Sequence, residues 1–168
     1  DHLYASPVLT RHMQGADFGD LVVCSPDTGG LKLARAYAKR FRTALAFIDK
    51  RRPKHNVAEV VNVVGEVADK NVLLVDDLID TAGTFTNAAR ALKEKGAKKI
   101  WGACTHPVLS GEAYDRLEEA PIERILVADT LPLKRESEKI VVTSVAPLFA
   151  EAILRTHSNQ SISKLFEL

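Results

Sequence analysis

Long apolar runs, paired cysteines and an excess of either charge are all missing from this chain. No stretch approaches the about 20 apolar residues that a membrane-spanning helix needs, and no signal peptide is recognisable. Lys and Arg together number 23 and Asp and Glu 22, which gives a net charge of +1. The charge therefore does not predict binding to nucleic acid or to a membrane surface.

Cysteine is scarce, with Cys24 and Cys104 each inside a short apolar run. This predicts buried, reduced thiols rather than a disulfide, and a cytoplasmic location. Repeats, low-complexity tracts and clear linkers are absent, so the 168 residues are most simply one domain with its own core. The chain begins at Asp1 without Met, from which we expect a fragment of a longer protein.

Strand-like apolar runs alternate with segments of helical spacing along most of the chain. We predict strands over 21–24, 43–48, 71–75, 98–104, 124–128 and 140–143, and helices within 1–15 and over 31–41, 84–95, 112–119 and 147–156. Residues 54–69 are left without an assignment. The alternation predicts an α/β three-layer sandwich, in which helices cover both faces of a mainly parallel central sheet. The last helix is expected to turn one apolar face inward, formed by Leu148, Phe149, Ala152 and Ile153.

The most informative stretch is VLLVDDLIDTAGT at residues 72–84. Its branched apolar residues predict a strand that is buried on both faces and ends at Val75, directly before Asp76 and Asp77. A turn of small residues follows, and then a helical pattern. Ligands of open α/β sheets bind beyond the carboxyl ends of strands, which is where this turn would lie.

The small residues of this turn favour a phosphate site. They let backbone N–H groups approach a ligand closely, and they open a helix whose first turn has free donors and a partial positive charge. The residues concerned are Thr81, Ala82, Gly83 and Thr84.

Three carboxylates, Asp76, Asp77 and Asp80, accompany the phosphate turn. Ionised carboxylates only accept hydrogen bonds, so their natural partners are hydroxyl groups or a metal ion. Hydroxyls at one end and phosphate at the other describe a sugar phosphate, and each hydroxyl–carboxylate bond would contribute roughly 1.5–3 kcal/mol. Two other interpretations are an acidic loop that only caps a helix and a DDxxD magnesium motif. The number of acids argues against the first, and the preceding strand and following glycine argue against the second.

A second loop, SPDTGG at residues 25–30, also joins a predicted strand to a predicted helix. Gly29 and Gly30 permit a nest of backbone N–H groups that suits a diphosphate. Asp27 would be able to hold Mg²⁺ beside that nest. The alternative interpretation is a turn with a helix cap.

The segment DKRRP continues directly from the second predicted strand. Lys50 and Arg52 are two residues apart and face the same side of an extended segment, whereas Arg51 points away. Two cations on one side are suited to clamping a polyphosphate, although composition alone favours a solvated basic turn. His106 follows another predicted strand, and for a lone histidine there a structural role is the more common one.

Taken together, these motifs resemble the ribose-phosphate diphosphokinases, also called phosphoribosyl-diphosphate synthetases, which have the type I phosphoribosyltransferase fold. VLLVDDLIDTAGT resembles the family's phosphoribosyl-diphosphate-binding motif. Five other segments of this chain also resemble those enzymes: SPDTGG, DKRRP, NVVGEV, THPVLSG and SISKLF. The resemblance covers essentially every residue but only the C-terminal half of such an enzyme. It implies one phosphoribosyltransferase-like domain over residues 1–168, with the N-terminal half absent.

The resemblance implies an activity and its cofactor. Diphosphate would pass from ATP to the anomeric hydroxyl of ribose 5-phosphate, giving AMP and 5-phosphoribosyl 1-diphosphate, with Mg²⁺ required. The family also implies a homo-oligomer of dimers, up to a hexamer, with sites shared across subunits. An isolated half is expected to bind ribose 5-phosphate weakly and to turn over ATP barely or not at all.

The resemblance also implies residue roles. Lys50 and Arg52 would be catalytic and would begin a flexible loop. Asp76 and Asp77 would hold the ribose hydroxyls. The 5-phosphate would bind to Asp80, Thr81, Ala82, Gly83 and Thr84. The diphosphate loop would consist of Asp27, Thr28, Gly29 and Gly30, with Asp27 also near the metal. A regulatory phosphate or ADP site between subunits would use Ser161, Ser163 and Phe166.

Two rival functions share this scaffold. One is a non-catalytic regulatory subunit associated with the synthetase, which the intact DKRRP and DDLIDTAGT segments argue against. The other is a phosphoribosyltransferase that consumes the diphosphate, which SPDTGG, DKRRP and the extent of the resemblance argue against. Formation of AMP from ATP, Mg²⁺ and ribose 5-phosphate would separate all three.

Overall fold

The computed structural model describes residues 2–51 and 60–166, and for Lys50, Arg51, Val60 and Val61 it describes the backbone alone. The strands in this part are β1 (Leu21–Ser25), β2 (Ala44–Arg51), β3 (Val60–Val64), β4 (Asn71–Ile79), β5 (Ile100–Pro107), β6 (Ile125–Ala128) and β7 (Ile140–Thr143). The helices are α1 (Ser6–Met13), α2 (Leu31–Phe41), α3 (Gly83–Glu94), α4 (Ala113–Glu119) and α5 (Ala146–His157), followed by a 3₁₀ turn at Ser163–Leu165.

The strands form one sheet in the order β3-β2-β1-β4-β5-β6-β7. Neighbouring strands run parallel except β2 and β3, which are antiparallel. The chain builds outward from β1 to β2 and β3, returns to the centre at β4, and then builds outward the other way. The strand order therefore reverses between β1 and β4, and a crevice opens at such a point beyond the carboxyl ends of the strands.

The core consists of two apolar layers, one on each face of the sheet. Side chains alternate along β4, so Val72 and Leu74 pack in one layer and Leu73 and Val75 in the other. Helices α3 and α4 cover the first layer, and α1 and α2 cover the second. Burial on both faces is the reason that β4 begins as a continuous apolar run. The predicted α/β sandwich with a mainly parallel sheet is confirmed.

The two cysteines are free and buried, as predicted. Cys24 on β1 and Cys104 on β5 each pair with a residue of β4, which lies between them. Two strand spacings amount to about 10 Å, beyond the about 7 Å that a disulfide can bridge between Cα atoms. Burial raises the pKa of the Cys24 thiol to about 12 and is also the main cause of the raised pKa of Cys104. Both thiols therefore stay protonated near neutral pH.

Strand β4 is longer than predicted. It does not end at Val75 but continues to Ile79, because β5 pairs with it that far, with Leu78 opposite His106. The expectation that Asp76 and Asp77 follow the strand is therefore wrong, since both lie within its last residues. The unassigned region 54–69 contains β3, which pairs with the DKR part of DKRRP in β2.

Helix α5 forms where it was predicted, but its apolar face is not turned inward. None of its residues is buried, and Phe149 and Ile153 are 51% and 67% exposed. Leu148 and Ala152 are half-buried. The pattern predicted an amphipathic helix correctly, whereas the expectation that this face packs within the domain is wrong for the described residues. No described helix is both long and apolar enough to cross a membrane.

Candidate active site at the carboxyl ends of β1 and β4

Residues from two separate predicted loops line one open depression of about 280 Å³ at the point where the strand order reverses. Asp27 reaches it from the loop after β1, and the continuous segment from Asp76 to Phe85 reaches it from β4 and the start of α3. The structure thus brings together Asp27, Asp76, Asp77 and residues 80–84. A small ligand bound there would meet all of them.

The two adjacent acids are presented differently by the alternation of the strand. Asp76 is half-buried, whereas Asp77 is exposed. The backbone N–H of Asp77 donates to a carboxylate oxygen of Asp76 at 2.9 Å. None of the ion pairs between described residues involves either acid. Both carboxylates therefore keep acceptor capacity for a ligand with hydroxyl groups.

The environment of Asp76 disfavours its charged form. The pKa of Asp76 is raised to about 7, chiefly by burial and then by the neighbouring charges of Asp77 and Asp27, while the bond from the Asp77 N–H opposes the shift. The Asp76 carboxylate is thus repelled by those of Asp27 and Asp77 when no ligand is bound. Perturbed acids in a cleft are typical of functional sites, and a hydroxyl donor or a cation would relieve this repulsion.

The turn before α3 directs the start of that helix into the depression. Ala82 adopts the left-handed conformation at φ 61°, and no side chain of the cap residue bonds to the first turn of α3. The N–H groups at Gly83 and Thr84 lie in that first turn, where no earlier helical carbonyl is available to them. Together with the helix dipole they suit a phosphate. Thr81 and Thr84 are exposed on the same loop.

The loop after β1 is built around Asp27. The backbone N–H of Gly30 donates to its carboxylate at 3.0 Å, and Ser25 Oγ donates to its backbone oxygen at 2.7 Å. A Cβ at Gly30 would come within 2.6 Å of Ser25 Oγ, so close packing requires glycine there. Asp27 therefore organises the turn while it also lines the depression. The helix cap of the alternative interpretation is not formed, because the cap residue of α2 is Gly30 and no side chain bonds there as a cap.

Gly29 and Gly30 border a second depression, of about 310 Å³. Asp77 lines both depressions, and His106 lines the second. Thr130 Oγ1 donates to the Thr105 carbonyl at 2.9 Å and lies 3.0 Å from His106 Nδ1. Since the hydroxyl proton is used in the first bond, Nδ1 of His106 is the donor in the second. His106 is thus exposed at the edge of the site and held by one bond.

The remaining predicted site residues either lie elsewhere or have side chains outside the described part of the chain. Lys50 lies on β2 opposite Val61 of β3, and its side chain is not described. Arg52 lies outside the described residues. Ser161 and Ser163 bond to each other, with 2.9 Å between their hydroxyl oxygens, and Phe166 follows them in the C-terminal segment.

Residues 50–167 match the family model of the phosphoribosyl synthetase-associated domain. The chain belongs to this family. The curated relatives described next are named ribose-phosphate pyrophosphokinase, which agrees with the resemblance of the motifs. The relative from Caldanaerobacter subterraneus is 53% identical, over 99% of this chain and 54% of its own length. That from Chlorobaculum tepidum is 52% identical, over 99% of this chain and 52% of its own. This phosphoribosyl synthetase-associated domain therefore spans about half the length of the curated relatives it matches.

Solved structures agree on the fold. The phosphoribosylpyrophosphate synthetase of Mycobacterium smegmatis is 36% identical, with a TM-score of 0.86 over 95% of this chain and 52% of that chain. The purine phosphoribosyltransferase of Pyrococcus horikoshii is 24% identical, with a TM-score of 0.53 over 82% of this chain and 84% of that one. The second likeness shows the fold alone. The predicted phosphoribosyltransferase-like architecture is confirmed.

Two residues that support the site of this phosphoribosyl synthetase-associated domain were missed by the sequence analysis. Ser110, in the loop after β5, bonds through its hydroxyl to the Asp80 carboxylate. Arg116, on α4, donates from Nη1 to the Thr81 carbonyl at 3.1 Å. Both partners lie at least 30 positions earlier in the chain. The only signal in the sequence was the THPVLSG motif, whose serine is Ser110.

Proposed function

We propose that this chain is the ribose 5-phosphate-binding half of a ribose-phosphate diphosphokinase. The observation that carries the proposal is the pairing, in one depression, of two carboxylates free of ion pairs with the uncapped start of α3. The names of relatives about half identical to this chain support it. The whole enzyme would convert ATP and ribose 5-phosphate to AMP and 5-phosphoribosyl 1-diphosphate.

In this proposal the ligand lies across the depression. Asp76 and Asp77 accept hydrogen bonds from the ribose hydroxyls. The 5-phosphate receives N–H groups from the first turn of α3 and hydroxyl groups from Thr81 and Thr84. Ala82 and Gly83 keep the backbone near the phosphate because they are small. Asp80 belongs to this loop through its backbone, since its carboxylate already accepts a bond from Ser110.

The diphosphate would lie along the loop after β1, over Thr28, Gly29 and Gly30. The acids beside that loop could hold Mg²⁺ only together with substrate phosphates. No three potential ligands converge on one point in the described part of the chain. However, Mg²⁺ is commonly held by one or two carboxylates together with substrate phosphates. Asp27 would be such a carboxylate, and the bound ion would spread the charge of the phosphates.

The transfer itself forms one bond and breaks one. The anomeric hydroxyl oxygen bonds to the β-phosphorus of ATP and releases its proton to solvent. The bond from that phosphorus to the bridging oxygen of the α-phosphate breaks, and AMP leaves with the electron pair. Lys50 and Arg52 are proposed to stabilise the charge that grows on the transferred group, an effect that is often worth several kcal/mol.

The proposal extends to the whole protein. Residues 1–168 would form its C-terminal domain, and an N-terminal half would complete the nucleotide pocket. A homo-oligomer in the cytoplasm, built of dimers or a hexamer, would share its sites across subunits. Ser161, Ser163 and Phe166 would contribute to a regulatory phosphate or ADP site. None of these residues lines the two depressions described above.

The deciding experiment combines full-length protein with ATP, Mg²⁺ and ribose 5-phosphate and follows the products by phosphorus NMR. We expect AMP and a sugar diphosphate in equal amounts. A product pair of ADP and a sugar bisphosphate would contradict diphosphate transfer. Binding of ribose 5-phosphate without any turnover would favour the rival function, a regulatory subunit.

A further inference from the structure

The loop that is proposed to hold phosphate is itself held by a later part of the chain. We name residues 109–116, which include the end of the β5–α4 loop and the first turn of α4, the bracing segment. Its Leu109 N–H donates to the Ile79 carbonyl at 3.1 Å, and its Ser110 N–H donates to the Asp80 carbonyl at 3.0 Å. The Ser110 hydroxyl also donates to the Asp80 carboxylate. The backbone carbonyls of Ile79 and Asp80 are thus held by two neighbouring residues of the bracing segment.

The next carbonyl is fixed by a side chain. Arg116 Nη1 donates to the Thr81 carbonyl at 3.1 Å, while its Nη2 is held by Glu112 at 3.0 Å. The Nη1 atom also lies 3.5 Å from the position that a Cβ would take on Gly83. A fixed positive charge therefore stands beside the start of α3. The bracing segment occupies three successive carbonyls of the loop in all.

These bonds matter because the turn is not a conformation that the chain adopts readily. Ala82 directly follows Thr81 and has φ at 61°, a region that disfavours side chains with a Cβ. Without outside support this residue would return to a more common conformation, and the N–H groups of α3 would turn away from the depression. The Ser110 bond also keeps the Asp80 carboxylate occupied, so that its charge is directed away from a phosphate.

We propose that Ser110 and Arg116 are positioning residues of the phosphate loop. They set the affinity for the 5-phosphate group by holding the loop in its binding shape, and they do not touch the ligand. The inference rests on the proposed function, since it names the residues that prepare the same site. It predicts a specific kinetic pattern, because the phosphate is remote from the reacting anomeric centre.

The test uses full-length Arg116→Gln and Ser110→Ala proteins. We expect each to raise KM for ribose 5-phosphate about tenfold while KM for ATP and kcat change less than about threefold. Arg116→Lys and Ser110→Thr should recover part of the loss, because each replacement side chain can still donate a hydrogen bond. Calorimetry with ribose 5-phosphate and with ribose should show that only the phosphate-bearing ligand loses affinity.

Arg135→Gln is the matched control. Arg135 is similarly exposed and pairs with another acid of α4, Asp115, at 2.7 Å, but it bonds to no residue of the phosphate loop. Its removal should leave both KM values unchanged. The same set of proteins is compared by thermal unfolding, so that a general loss of stability is recognised.

The outcomes separate two failures. If the parent protein does not bind ribose 5-phosphate, the proposed function itself is wrong. The positioning role is overturned if the parent protein binds ribose 5-phosphate but Arg116→Gln has the same KM for it as Arg135→Gln. It is also overturned if kcat of Arg116→Gln falls by the same factor as its affinity for ribose 5-phosphate. In both cases the proposed function stands. Should Arg116→Gln not fold, Ser110→Ala and Arg116→Lys give the same comparison.

Discussion

At the scale of single residues, Asp76 is a site residue whose ionised form destabilises the folded protein. The carboxyl group is half-buried near Asp77 and Asp27, and burial is the largest cause of its raised pKa. A position selected only for stability would not gather three acids in this way. The arrangement is better explained by a ligand that donates hydrogen bonds or carries positive charge.

This arrangement predicts a dependence of stability on pH. The pKa of Asp76 rises from 3.8 to about 7 on folding, so the folded state binds the proton more tightly. The free energy of unfolding therefore falls as pH rises between about 4 and 7, and the full penalty is present above that window. Asp76→Asn removes it. Allowing for the partial exposure of the group, we expect the variant to be more stable by roughly 1–2 kcal/mol at pH 8.

Urea unfolding at pH 8 and pH 4.5 checks this prediction, with Glu123→Gln as the control because Glu123 is an exposed acid at the other end of the sheet. The advantage of Asp76→Asn should shrink towards zero at the lower pH. An advantage of equal size at both values would show that packing, not charge, is responsible. The same variant should lose affinity for ribose 5-phosphate, because an amide offers one acceptor oxygen instead of two.

Lys50 supports a second prediction at this scale. Lys50→Ala in the full-length enzyme should lower kcat by about 100-fold or more, because a cation that stabilises charge in the transition state is lost. The thermal midpoint should hardly change. Arg51→Ala is the matched control, since alternation along a strand predicts the opposite side for its neighbour. A loss in kcat of less than tenfold for Lys50→Ala would count against the catalytic role.

At the scale of elements, β4 and α5 illustrate opposite outcomes for equally clear patterns. The apolar run of β4 is buried on both faces, as its composition predicted. The apolar face of α5 is also real, yet Phe149, Ile153 and Leu154 are all more than half exposed. Periodicity reports that a face is apolar, whereas the layer that covers it depends on where the helix lies relative to the sheet.

The exposure of α5 gives a prediction about stability in the isolated 168-residue chain. Ile153→Ala should change the free energy of unfolding by no more than about 0.5 kcal/mol, because the side chain loses little contact. Leu92→Ala is the comparison, since Leu92 on α3 is fully buried. It should cost about 2–5 kcal/mol. Urea unfolding of both variants measures the difference. A large loss for Ile153→Ala would mean that α5 packs in the domain after all.

At the scale of the whole molecule, the site depends on a reversal of strand order. Neither β1 nor β4 forms the depression alone, and their loops are separated by some 50 residues of chain. The relatives are about twice as long as this chain, which agrees with a site that a second half completes. The proposed division of roles between two halves can be tested with the 168-residue chain alone.

We therefore expect the 168-residue chain alone to bind ribose 5-phosphate weakly and to form AMP at close to the background rate. The reason is that the proposed nucleotide pocket would be completed by the proposed N-terminal half. Calorimetry measures the binding, and a coupled assay for AMP measures turnover beside the full-length enzyme. Robust synthesis by the isolated chain would contradict this division of roles.

Much of the site was predictable from neighbouring residues. Asp76, Asp77 and the small residues at 81–84 are adjacent in sequence, so their shared chemistry is visible before any folding. The bonds of Ser110 and Arg116 to the same loop were not visible, because they join residues 30 and 35 positions apart. The extension of β4 past Val75 had the same origin, since pairing with β5 continues it.

The amino-acid order alone thus determined most of the segments that become strands and helices, and which turn offers free N–H groups suited to an anion. Local spacing and the free groups at a helix start are properties of short stretches of chain. Only the tertiary structure decided that Asp27 meets Asp76, that Arg116 holds the turn and that α5 keeps its apolar face exposed. These depend on the order of strands in the sheet, which brings distant residues within bonding distance and leaves others without a covering layer.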